Sequence, residues 1–247
     1  MSPRLLPWPQ RCAAALLRAA LPSACALCGG HAGAAVCQRC HAAYLGAFRP
    51  RCRRCANPVA AADAARECGA CQSHRPAYDA TIAAVDYARP LDQLVLELKF
   101  GARLALAPWC ASAMYDAVRA QPGRHLPNLL CPVPLGPSRL VERGFNQALE
   151  IARPLAALLG IPLAPALALR ALDTAAQSSV TPAERRNNIR GAFIVAPSAL
   201  ALVRGQHIGV VDDVMTSGAT LHELAATFKR FGAARVSNLV FARTPPR

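Results

Sequence analysis

Lysine is almost missing from this 247-residue chain, which has only Lys99 and Lys229. Acids are scarce too, 14 Asp and Glu against 28 Lys and Arg, and the formal net charge is +14. Arginine stands in for lysine nearly everywhere, so its abundance reads as composition bias rather than as a sign of a nucleic-acid partner. Aromatic residues make up 5%, little material for base-stacking platforms. A long apolar run is also lacking. The longest charge-free apolar stretch, Pro154 to Leu169, is broken by Pro162 and Pro165 and is shorter than the roughly 20 residues a membrane helix needs. No membrane span is expected. At the N-terminus Arg18 splits the Ala- and Leu-rich run, so residues 1–21 read as a basic amphipathic helix rather than a leader, and the protein as cytoplasmic.

What the chain does have is apolar bulk and cysteine. With 53% hydrophobic residues it can bury a sizeable core, which excludes disorder as its main state and suits one or two domains. Residues 1–75 carry ten Arg against Asp63 and Glu67, a local charge of +8. Nine of the eleven cysteines lie in that front part, and eight of them form four Cys-x-x-Cys pairs: Cys25/Cys28, Cys37/Cys40, Cys52/Cys55 and Cys68/Cys71.

Two thiolates separated by two residues grip one face of a tetrahedral metal, and a second such pair completes the Cys₄ set. The spacing suggests sequential ribbons, and a cross-braced pairing stays open. Disulfides do not suit a cytoplasmic chain, and four copies of the motif without thioredoxin-like context do not suit redox chemistry. Two structural Zn²⁺ ions are expected, with an iron–sulfur cluster as the alternative. Eight thiolates leave His31, His41 and His74 as surface residues.

From Tyr78 onward strand-like and helix-like segments alternate. Ala80–Tyr87, Leu129–Val133, Ala166–Ala171, His207–Val211 and Arg235–Phe241 read as strands. Leu91–Phe100, Leu104–Arg119, Asn146–Leu159 and Leu221–Phe231 read as helices, with Gly160 and Gly232 as stops. This alternation predicts an α/β domain with a parallel sheet.

The segment His207-Ile-Gly-Val-Val-Asp-Asp-Val-Met-Thr-Ser-Gly-Ala-Thr220 carries most of the functional information. Its strand delivers Asp212 and Asp213 to its carboxyl end, where ligands sit in open α/β sheets. Thr216, Ser217, Gly218, Ala219 and Thr220 then offer backbone N–H groups and hydroxyls at a helix start, which suits a phosphate. Paired carboxylates beside a phosphate pocket make sense as acceptors for a sugar diol. One molecule carries both groups, a ribose 5-phosphate derivative. The pattern resembles the signature for phosphoribosyl pyrophosphate (PRPP) in type I phosphoribosyltransferases.

Further segments narrow the resemblance: Leu98-Lys99-Phe100, Cys131-Pro-Val-Pro-Leu-Gly-Pro-Ser-Arg139 with Arg143-Gly-Phe-Asn-Gln147, Gln177-Ser-Ser-Val, and Ala183 to Phe193 with Arg185 and Asn188. Together they are similar to the ComF family, which includes competence proteins and GntX-like proteins, and the likeness runs from Cys25 to Arg243. Val180 stands where that family would suggest Leu. The resemblance implies a double zinc ribbon joined to a type I phosphoribosyltransferase-like parallel sheet flanked by helices. The expected boundaries are 1–21 for the N-terminal extension, 22–76 for the ribbon and 77–247 for the α/β domain.

Arg139 and Arg143, four apart, share a face if helical and suit a diphosphate, or else form a solvated Arg-rich face beside Glu142. Thr181-Pro-Ala-Glu184 fits a capping box, and the helix it starts would carry Arg185 and Arg186 outward in the position of the mobile catalytic loop of transferases. Phe145 reads as core, Gln147 as support for the loop, and Lys99 as a partner for an acid at its helix end. By resemblance, Mg²⁺ would accompany PRPP, Asp212 and Asp213 would fix the ribose, residues 216–220 its phosphate, and Arg139, Arg143 and Arg185 the departing pyrophosphate. The acceptor is not identified. Six residues follow Phe241, so either the hood that normally holds a base is expected to come from the N-terminal region or no ordinary base pocket is expected. A second class stays open: a DNA-uptake factor binding single-stranded DNA or competence proteins, with PRPP as its regulator.

Overall fold

The computed structural model describes residues 23–45, 49–61, 67–121, 123, 125–171 and 191–245. The N-terminal extension and the segment carrying Arg185 lie outside these. The chain divides into two compact units, Met1–Gly46 and Ala47–Arg247. That division runs between the two halves of the cysteine-rich region.

In the first unit a two-residue antiparallel pair, β1 (Ser23–Ala24) and β2 (His31–Ala32), is followed by α1 (Gln38–Leu45). Cys25 and Cys28 sit on the turn joining the strands. The second unit begins with a similar knuckle closed by an isolated bridge between Arg51 and Pro58, and continues to the short helix α2 (Gly69–Ser73). In both knuckles the residue after the second cysteine is left-handed, Gly29 at φ 72° and Ala56 at φ 56°.

The α/β part contains a four-stranded, all-parallel sheet in the order β3-β8-β7-β4, formed by β3 (Ala80–Asp86), β4 (Leu129–Pro132), β7 (His207–Met215) and β8 (Arg235–Arg243). Near-continuous burial along β7 and β8 explains their runs of Val, Ile, Leu and Phe, since the central strands of a covered parallel sheet are apolar on both faces. Flanking helices are α3 (Leu91–Phe100), α4 (Ala107–Arg119, entered through a 3₁₀ turn at Leu104–Leu106), α5 (Pro137–Arg143), α6 (Gln147–Leu159) and α7 (Ala219–Arg230). α4 packs on α6 and on β3, and α6 covers β7. Trp109 meets Phe241 edge-on at 5.8 Å in this core.

Three sequence readings shift. β7 extends to Met215, so the two aspartates lie within the strand rather than beyond it. β8 extends to Arg243. The strand expected at Ala166–Ala171 shortens to β5 (Ala168–Arg170) and pairs antiparallel with β6 (Phe193–Val195) in a separate two-stranded sheet. No helix among the described residues is long and apolar enough to cross a membrane.

Candidate functional site

The eight paired cysteines assemble sequentially, Cys25, Cys28, Cys37 and Cys40 in one cluster and Cys52, Cys55, Cys68 and Cys71 in the other, each with its sulfurs within 4.8 Å of one another. Zn–S bonds of about 2.3 Å in a tetrahedron put sulfurs roughly 3.8 Å apart. Cys28 and Cys37 are 3.8 Å apart and Cys55 and Cys68 3.6 Å, so both clusters fit a tetrahedral Zn²⁺. All eight are free of disulfides. Backbone amides prepare the thiolates: Leu27 and Cys37 donate to Cys25 Sγ at 3.4 and 3.3 Å, and Cys68 donates to Cys52 Sγ at 3.2 Å. Burial opposes ionisation of Cys25, yet the amides of Cys37, Cys28 and Leu27 pull its thiol down to about 6.

The second constellation lies at the carboxyl end of β7. Alternation along the strand separates the two aspartates, Asp213 being buried and Asp212 half-buried. Asp213 is already engaged: Lys99 Nζ lies 2.7 Å from its Oδ2, and Gln147 Nε2 donates to its Oδ1 at 3.3 Å. Gln147 in turn accepts from Arg143, whose guanidinium sits 5.4 Å over the ring of Phe100. A chain of contacts thus runs from α3 through the strand end to α5. Asp212 accepts the Asp213 N–H at 2.9 Å, and burial together with the neighbouring Asp213 charge lifts its carboxyl well above the usual range, Lys99 only partly offsetting them.

Thr216 and Ser217 are exposed in the loop that follows, and Gly218 begins α7 at φ 78°. Gly218 has no side chain with which to cap α7, whose first turn has no acid, and the Ser217 hydroxyl accepts the Ala219 N–H at 3.4 Å. α6 differs in this respect, because Asn146 accepts from Ala148 and Leu149 and closes its first turn. The start of α7 is therefore suited to an anion. The loop is packed from behind, since a Cβ on Gly218 would stand 2.6 Å from Met215 Cε and 3.0 Å from Tyr78 Oη. Arg243 donates to the carbonyls of Met215, at 3.0 Å, and Thr216.

Arg139 and Arg143 both lie on α5, and Arg143 is linked to Asp213 through Gln147. Phe145 is half-buried. Lys99 finds its acid across the domain rather than along its own helix. Sequence reasoning did not find Tyr78, Arg243 or the exposed Phe100 as neighbours of the site. The signal available for Phe100 was its adjacency to Lys99. Tyr78 and Arg243 carry no local motif.

Residues 146–246 match the phosphoribosyl transferase domain model, and residues 16–72 match the double zinc ribbon domain model. The chain is 34% identical over 196 residues to the DNA utilization protein YhgH of Salmonella typhimurium, an alignment spanning 78% of this chain and 84% of that one. With the YhgH protein of Escherichia coli K12 it shares 32% over 232 residues, spanning 91% and 98%. With Competence protein F of Haemophilus influenzae it shares 31% over 182 residues, spanning 72% and 79%.

Proposed function

The chain belongs to the ComF family of proteins that join a double zinc ribbon to a phosphoribosyltransferase-like domain, and on that footing we propose that it binds PRPP with Mg²⁺ and transfers the phosphoribosyl group to an acceptor, releasing pyrophosphate. The observation that carries this reading is a half-buried carboxylate, Asp212, on the same strand end as a helix that opens on a glycine with no acid in its first turn. Asp212 would accept the ribose hydroxyls, and the amides and hydroxyls of residues 216–220 would hold the 5-phosphate. Asp213, paired with Lys99 and Gln147, acts behind Asp212 and sets the position of that strand end.

Asp212 offers the hard carboxylate oxygen that Mg²⁺ takes. Mg²⁺ when bound would offset diphosphate charge. Arg139 and Arg143 would meet the pyrophosphate, and Arg185, outside the described residues, would stabilise charge developing on it in the transition state. Reduced thiols ready for zinc favour a cytoplasmic setting.

Calorimetry with PRPP tests the binding step. Binding should require Mg²⁺, and Asp212→Asn should weaken it about tenfold or more, as loss of a charged hydrogen bond does. Equal affinity in the variant would overturn the diol role. Transfer is tested by pyrophosphate release across nucleobases and small amines, where Arg185→Ala should lower kcat far more than PRPP affinity.

A second reading rests on Phe100, an aromatic ring 73% exposed with Arg143 stacked on it and Lys99 beside it. Such a ring beside a guanidinium suits a base of single-stranded DNA, and relatives carry the names DNA utilization protein and Competence protein F. No pyrophosphate release with any acceptor, together with DNA binding that responds to PRPP, would favour this regulated DNA-handling role.

A further inference from the structure

The second cysteine cluster is built into the α/β unit rather than appended to it. Thr81 at the start of β3 donates its N–H to the Arg53 carbonyl at 3.1 Å, so the knuckle turn hangs directly from the sheet. Arg54, from the same turn, donates to the Tyr78 carbonyl at 2.7 Å and pairs with Glu67 at 2.8 Å. Cys52, Cys55, Cys71 and Tyr78 share one buried cluster with Met215 and Leu221.

Two side chains carry this scaffold to the phosphate loop. Tyr78, 3% exposed, brings its hydroxyl against Gly218. Arg243, 6% exposed at the last position of β8, donates from Nε to the Cys55 carbonyl at 2.9 Å and from its other arm to Met215 and Thr216. A guanidinium is planar and its donors are fixed in a fork, so it locks two backbone segments in one relative position where a flexible ammonium would not. The two segments here are a metal-ligand turn and the loop that opens α7. Ala77 adds a third tie, donating at 3.0 Å to Nδ1 of His222 in the first turn of α7.

We propose that Arg243 is a positioning residue for the Thr216–Thr220 loop, holding it in its phosphate-binding form against the metal-loaded second knuckle. This rests on the reading of that loop as the 5-phosphate site. The second zinc ion is then part of the ligand site's architecture, although no ligand touches it.

The test uses the full-length, zinc-loaded protein with Arg243→Ala and Arg243→Lys. Amide hydrogen exchange of the loop, read without ligand at the His222 and Thr244 N–H groups that donate to the Gly218 and Met215 carbonyls at 2.8 and 3.0 Å, is measured, and affinities for ribose 5-phosphate and for pyrophosphate are measured separately. Expected in Arg243→Lys are two zinc ions per chain, exchange at these amides faster by about tenfold, ribose 5-phosphate affinity lower by about tenfold and pyrophosphate affinity unchanged, in line with the loss of charged hydrogen bonds. The alanine variant should show the same pattern more strongly. If it fails to fold, the lysine variant decides. Chelation of zinc from the wild type should also speed exchange at the loop. Unchanged loop exchange in folded Arg243→Lys, or after chelation, overturns the proposal, and so does an equal loss of both affinities. If the wild type binds neither PRPP nor ribose 5-phosphate, the functional reading fails, while the exchange measurement still decides the role of Arg243.

Discussion

At the scale of single residues, the two aspartates have unequal tasks although they are neighbours in sequence. Asp213 is sealed against Lys99, so Lys99→Met would leave a buried carboxylate unpaired at a cost of about 3 kcal/mol, readable in denaturant unfolding. Asp212 points the other way energetically. Its pKa is raised by burial and by Asp213, so the native state keeps a proton that the unfolded chain releases near pH 4, and stability falls as pH rises from there through the folded value. Asp212→Asn should therefore melt higher than wild type at pH 8, with the gap closing toward pH 4, while PRPP affinity drops. Stability would rise as function falls, the usual trade at a binding site. Gly218→Ala meets both a positive φ and the atoms of Met215 and Tyr78, and should cost about 2 kcal/mol or more. Met215→Ala would relieve only the contact, so it should not restore the loop. Asp212, Asp213 and residues 216–220 were legible in the sequence because one contiguous segment holds them. Lys99 was visible only as a lysine, since the acid it meets lies on a strand far along the chain.

Among the elements, helix starts decide most of the local behaviour. Asn146 caps α6 and also donates to the Val133 carbonyl at 3.0 Å, tying the helix to the loop after β4. Asn146→Ala should cost about 1 kcal/mol for the cap alone, and the extra lost bond should loosen residues 133–146 in hydrogen exchange. α7, left without a side-chain cap at Gly218, should instead gain stability when an anion binds there. Most helices and strands could be read from periodicity, because α3, α4, α6 and α7 each bury a clear apolar face. β5 was visible as a strand but not its sheet, because a three-residue strand has too little pattern to reveal which sheet it joins. The longer extent of β7 and β8 was hidden by the half-buried Asp212 and by Asp213 and Arg243, polar residues whose burial depends on partners from other elements.

For the molecule as a whole, the cysteine-rich region looks like one module in sequence but belongs to two compact units. A fragment of residues 47–247 should fold cooperatively with one zinc ion. A fragment of residues 77–247 would strip the Cys55 carbonyl from Arg243, and should melt lower despite an intact parallel sheet. Cys25→Ser should release one zinc and unfold residues 23–45, with the main transition of the sheet preserved. The eight paired cysteines announced two clusters fit for a metal, but spacing alone could not say which knuckle was woven into the sheet, because that depends on contacts made by Arg53, Arg54 and Arg243. The clusters also differ in cover: each has one half-buried cysteine, Cys37 or Cys68, but the first also exposes Cys28, whereas Cys52, Cys55 and Cys71 of the second are all buried. That difference converts into time. In a pulse of isotopically labelled zinc, the first site should exchange its ion early and the second late, so one polypeptide would carry a metal that tracks the current zinc supply and another that keeps a record of the supply when the chain folded.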